Sequence, residues 1–174
     1  MFERISKFAR SLIIDDEFIH NLILKTLSKN LYIPYDIYFI EKFNNEDRHL
    51  QIEYQNIDDE MIEDIVAFTC PYDDIILCNT YGYIKFSINA IKKDISELSY
   101  FESIKEIKGI VLHEIRHCKQ FDFLRNVGGI SLLKRVINDQ KNMPYLDNIL
   151  EMDAYAYQLL GIDTDFEIVF ADYL

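Results

Sequence analysis

Apolar residues recur at helical spacing along residues 2 to 30: Ile5, Phe8 and Leu12, then Phe18, Leu22 and Leu27. Pro34 opens a different regime. "IPYDIYFI" (33–40) and "HLQIEYQ" (49–55) read as strands, the second because Leu50, Ile52 and Tyr54 alternate with Gln51, Glu53 and Gln55. "DIVAFTC" (64–70) and "DDIILCN" (73–79) are short apolar runs separated by Pro71. "YIKFSI" (83–88) alternates again, with Ile84, Phe86 and Ile88 on one face. Together these runs predict a small mixed sheet.

Helical spacing then returns. From about Tyr100 to Arg125, Ile104, Ile107, Val111, Ile115 and Cys118 form one stripe. Gly128 and Gly129 stand where a helix end is expected. A further helix is predicted over 131 to 140, and another after Pro144, over about 146 to 160, with apolar positions Ile149, Met152, Ala156 and Leu159. Helices, then strands, then helices define an α+β domain. A chain of 174 residues supports one buried core, and it carries no repeat or linker, so 1–174 is expected to be a single domain.

The net charge of −12 argues against nucleic acid as partner, because phosphate binding needs clustered Lys and Arg. It suits solubility, or a basic protein partner. The N-terminus lacks a signal-peptide pattern and no apolar run reaches the length of a membrane span, so a cytoplasmic chain with no membrane partner is expected. Cys70, Cys78 and Cys118 are odd in number and form no CxxC pair, which suits reduced thiols. Cys118 falls on the apolar stripe as a small hydrophobe.

The stretch that carries chemistry is "HEIRH", 113–117. His113 and His117 lie one turn apart, about 5–6 Å between Cβ atoms, and off the apolar stripe, so both imidazoles can hold one metal ion. Glu114 is rotated about 100° from His113 and reaches instead toward water in the metal's open position. This is the arrangement of a hydrolytic zinc centre with a glutamate base. The plain alternative is a wet helix face with two histidines and a chance glutamate, and a third ligand separates the two.

A third histidine six residues after the second is absent, since that position is Phe123, and Gln120 stands where that pattern has glycine. Cys70 lies upstream, but "FTCPY" lacks the pattern of deformylase-type sites. Downstream, "NILEMDAYAYQLL" (148–160) offers Glu151, opposed to the side bearing Ile149, Met152 and Ala156, with Asp153 as second choice. A solvated helix acid is the alternative reading of Glu151.

HExxH with a glutamate on a later helix, followed by Ala154, an aromatic and paired leucines, resembles the gluzincin group of zinc metallopeptidases. The local pattern looks like its small members related to the phage-repressor-cleaving immunity proteases. The resemblance spans 104 to 160. It implies a zincin-like α+β fold: N-terminal helices, a small mixed sheet, the active-site helix, then C-terminal helices. It also implies one Zn2+ per chain held by His113, His117 and Glu151, with Glu114 as general base. A protein or peptide substrate would be hydrolysed by a glutamate-activated, zinc-bound water.

One departure stands out. Larger gluzincins often place an aspartate four residues after the ligand glutamate to orient a histidine; here that position is Tyr155. Asp153, Asp147 and Asn148 are the substitutes in reach. "YIKFSI" reads most simply as a half-buried strand, with peptide binding along a sheet edge as the zincin-like alternative. Tyr155 and Tyr157 are weak candidates for an oxyanion donor. His20 and His49 are expected to be surface or hydrogen-bonded residues, and Arg116 a solvated helix residue. A zinc hydrolase of a small amide, and a non-catalytic metal-containing acidic interaction protein, are the competing functions.

Overall fold

A computed structural model of the chain describes residues 14–32, 34–43, 62, 64–71, 80–141, 143, 144 and 147–174. The expectations on residues 2–13, "HLQIEYQ", "DDIILCN", His49 and Cys78 lie outside the described residues. What is described is α+β: helices around a three-stranded mixed sheet.

Helix α1 (Asp16–Asn30) starts where the Asp15 carboxylate accepts the Phe18 N–H at 2.8 Å, and Asp16 and Glu17 complement its N-terminal dipole. Its buried face is Ile19, Ile23 and Leu27; Phe18 and Leu22 flank that face. The predicted stripe is therefore right in period and displaced by about one residue at its centre.

Strand β1 (Asp36–Ile40) runs parallel to β3 (Gly82–Ser87), and β2 (Ala67–Pro71) runs antiparallel to β3, giving the order β1-β3-β2. Ile84 and Phe86 of β3 enter the main core with Ile19, Ile23, Ile107 and Val111. Thr69 pairs with Ile84 and Ala67 with Phe86, so both share that face. Phe68 and Cys70 point the other way, into a smaller cluster with Phe43, Ile62 and Tyr83. "YIKFSI" is thus the central strand, with both its edges already paired, and it cannot take up a peptide. The strand facing the later helices is β2, which among the described residues pairs with β3 alone.

The short helix α2 (Ile88–Asp94), capped by Ser87, takes the last residue of the predicted strand. Helix α3 (Tyr100–Gln140) begins with a reciprocal cap between Ser99 and Glu102. It is broken at Gly129, whose φ of 66° and ψ of −171° are open to glycine alone. Beyond the break, Leu133 and Val136 pack with Phe121 and Leu124 in a third core cluster that includes Leu150 and Phe170.

Helix α4 (Ile149–Leu160) runs from the Asn148 cap to the left-handed Gly161, followed by α5 (Phe166–Val169). Its buried residues are Leu150, Asp153 and Ala154, while Met152 and Leu159 are exposed. The apolar side predicted for this helix is therefore corrected: the face against α3 carries an aspartate. Among the described residues no helix is long and apolar enough to cross a membrane.

Candidate metal centre

Around HEIRH, α3 is largely enclosed: Glu114, Ile115, Arg116, His117 and Cys118 are buried, and His113 is partly so. Ile107, Val111, Ile115 and Cys118 face the main core as predicted. The other side is not wet, because α4 and β2 pack against it. His113 and His117 therefore face a cleft and not open solvent.

Within that cleft three side chains converge. His113 Nε2 lies 3.0 Å from His117 Nε2 and 3.2 Å from Glu151 Oε2, and His117 Nε2 lies 3.4 Å from Glu151 Oε1. A zinc ion with bonds of about 2.0–2.1 Å in tetrahedral geometry spaces its ligand atoms by about 3.3 Å, so the three separations fit one ion. Two imidazoles and a carboxylate also suit zinc's borderline preference. The three residues form the candidate metal-binding group found among the described residues.

Local structure explains how Glu151 gets there. It sits in the first turn of α4, where the Asn148 side chain accepts the N–H groups of Leu150 and Glu151. Gln140, at the end of α3, accepts the Ile149 N–H at 2.8 Å and ties the start of α4 in place. A helix N-terminus also favours a carboxylate.

Burial pushes the Glu151 carboxyl up, but the adjacent His117 and the hydrogen bonds from both histidines outweigh it and hold Glu151 well below the usual carboxylate range. Burial likewise pushes His117 down, yet the Glu151 charge, with help from Glu114 and Gln120, raises it to about 9.

Glu114 is 5% exposed and stays off the ligand set. Thr69 Oγ1 donates to Glu114 Oε2 at 2.7 Å, a contact available because strand alternation turns Thr69, and not Cys70, toward α3. Cys70 is accordingly no ligand. A cavity of about 320 Å³ opens beside Glu114 and the convergent trio, with Phe121, Ile137, Met143 and Leu150 in its walls. That volume falls at the lower end of small-molecule sites.

Asp153, the second choice for a ligand, faces elsewhere. Its carboxylate takes a two-pronged bond from Arg116, Nε at 2.7 Å and Nη2 at 2.9 Å. Arg116 is fully buried, which overturns its expected place on a solvated surface. It also donates to the Thr164 carbonyl at 2.6 Å and to Asp163, and its guanidinium lies 4.0 Å over the Phe166 ring. Gln120 joins the two halves: it lies 2.9 Å from His117 Nδ1 and donates to the Leu150 carbonyl and to Asp153.

Neither Tyr155 nor Tyr157 lines the cavity; Tyr155 is 42% exposed and Tyr157 accepts from Lys119. Asn148 serves as a helix cap, Asp147 is exposed, and His20 packs on Phe39. Sequence reasoning missed Thr69, Gln120 and the Arg116–Asp153 pair. Only Gln120 left a local signal, since three residues beyond His117 is a neighbouring position on a helix.

No known family profile matches the chain, and no curated protein or solved structure matches it.

Proposed function

We propose that the chain is a zinc-dependent metallopeptidase of gluzincin type, with a zincin-like fold, acting on peptide or protein substrates in the cytoplasm. The observation that carries this reading is the convergence of His113, His117 and Glu151 at zinc-like spacing beside a buried glutamate that is not a ligand. Cys118, free and buried, is compatible with a reducing compartment.

A zinc ion in this group supplies Lewis acidity toward a carbonyl and activates water. Glu114 supplies the proton transfer. Thr69 engages its Oε2, so Oε1 is the atom that takes a proton from water and later delivers it to the leaving amine. β2, alongside, is the strand along which an extended peptide would run.

The test compares wild type with Glu114→Gln, which keeps shape and the Thr69 contact but removes the base. Both should bind about one zinc per chain with the same melting temperature. Cleavage in proteome-derived peptide libraries should fall by at least ~10²–10⁴-fold in the variant. Unchanged cleavage would remove Glu114 from the mechanism. Turnover of small amides alone, or of nothing in the zinc-loaded wild type, would favour respectively a small-amide hydrolase or a non-catalytic metal protein.

A further inference from the structure

We propose that Gln120 is the positioning residue for His117, setting which ring nitrogen is free to bind metal. This rests on the reading of His117 as a ligand. The argument starts from groups that can only accept hydrogen bonds. The Leu150 carbonyl lies 3.0 Å, and the Asp153 carboxylate 2.6 Å, from the same terminal atom of Gln120. Both Asp153 oxygens already accept from the buried Arg116 guanidinium. That atom of Gln120 must therefore be the NH2 group.

The other terminal atom is then the carbonyl oxygen, and it lies 2.9 Å from His117 Nδ1. An oxygen there requires a proton on Nδ1. The neutral ring is left with its lone pair on Nε2, the atom that faces His113 and Glu151. His113 has no such device: its Nδ1 is buried without a hydrogen-bond partner among the described residues.

Both acceptors that orient Gln120 belong to α4, and they flank Glu151 in sequence. Docking of α4 thus delivers the third ligand and sets the second ligand's tautomer in one step. The partner is also a neutral amide where a carboxylate commonly serves. A glutamate at position 120 would still accept from Nδ1, but it would place a second carboxylate against Asp153 and leave the Leu150 carbonyl without its donor.

The experiment uses the zinc ion alone and the full chain. Zinc affinity is measured by chelator competition on wild type, Gln120→Met and Gln120→Glu. Histidine 15N spectra of the zinc-loaded wild type locate the His117 proton. We expect a protected proton on Nδ1 with zinc on Nε2, a loss of about 10–100-fold in zinc affinity for Gln120→Met, and no rescue by Gln120→Glu. A proton on Nε2 in the wild type overturns the proposal whether or not the variants fold. So does wild-type affinity in Gln120→Met, or full restoration by Gln120→Glu. A wild type that takes up no zinc instead overturns the metal reading itself, a different failure from zinc binding that ignores Gln120.

Discussion

Arg116 and His117 are consecutive residues of α3, and they meet two acids only two residues apart on α4. Arg116 takes Asp153, and His117 takes Glu151. Both acids are largely buried, so each needs a compensating charge. On the Arg116 side the compensation is permanent: four guanidinium N–H groups meet carboxylate or carbonyl acceptors. On the His117 side the groups turned toward one another are electron-pair donors, two imidazole nitrogens and a carboxylate. There a proton held on His117 does the work, and a proton is exchangeable for a metal ion. One helix interface thus contains a clamp that is chemically closed and a site that is chemically open.

The largest expected effect breaks the clamp. Asp153→Ala leaves Arg116 buried without its buried partner, a change that typically costs about 3–5 kcal/mol, and urea unfolding should show it. Glu151→Ala should do the opposite: leave the fold largely intact and weaken zinc by at least ~10–100-fold in a competition titration. If Asp153→Ala proves the more damaging to zinc and Glu151→Ala to stability, the two acids exchange roles.

The open side should also be visible in pH. Zinc needs His117 without its Nε2 proton, and that proton is held up to about 9. Binding near neutral pH should release about one proton, and affinity should rise by roughly tenfold per pH unit up to that value; calorimetry in buffers of different ionisation heat measures both.

Without metal the sign reverses. The folded-state value of His117 is raised above the ordinary 6.5, so its stabilisation is complete below 6.5 and is lost as pH rises through about 9. Glu151 is lowered from 4.5, so its contribution is present above that value and fades as pH falls. The metal-free pair therefore stabilises most between these two ordinary values, and melting temperatures across pH check it.

The smallest effect sharpens the comparison. Asp163 also pairs with Arg116, but its side chain is 63% exposed. Asp163→Ala should cost about 1 kcal/mol or less, because water replaces it. A loss as large as that of Asp153→Ala would mean that the clamp closes through the segment after Gly161 and not through α4.

Much of this was legible locally. Helical spacing located α3, because burying one stripe leaves a period that a single chain displays. Gly128 and Gly129 marked its break, and the stretch after Pro144 was read as a helix although its buried side was not. The i, i+4 pair in HEIRH and the off-line Glu114 follow from helix geometry alone. The character of the far side of α3 was not legible: Arg116 looked solvated because its two acids lie 37 and 47 residues onward.

The sequence by itself determined the α+β class, the candidate pair His113 and His117, and a short set of acids that held the third member of the convergent group. Only the tertiary structure decided among those acids. The difference between Glu151 and Asp153 is an angle around α4, and that angle has meaning only once α4 docks on α3. Docking is set by the buried Arg116–Asp153 bond and by the Gln140 and Asn148 contacts at the start of α4. The same holds for Thr69, whose partnership with Glu114 depends on β2 being paired with β3 in a register that turns its hydroxyl toward α3. Contacts between residues so far apart leave no period in the chain, so the packing that closes the clamp also selects what stays open beside it.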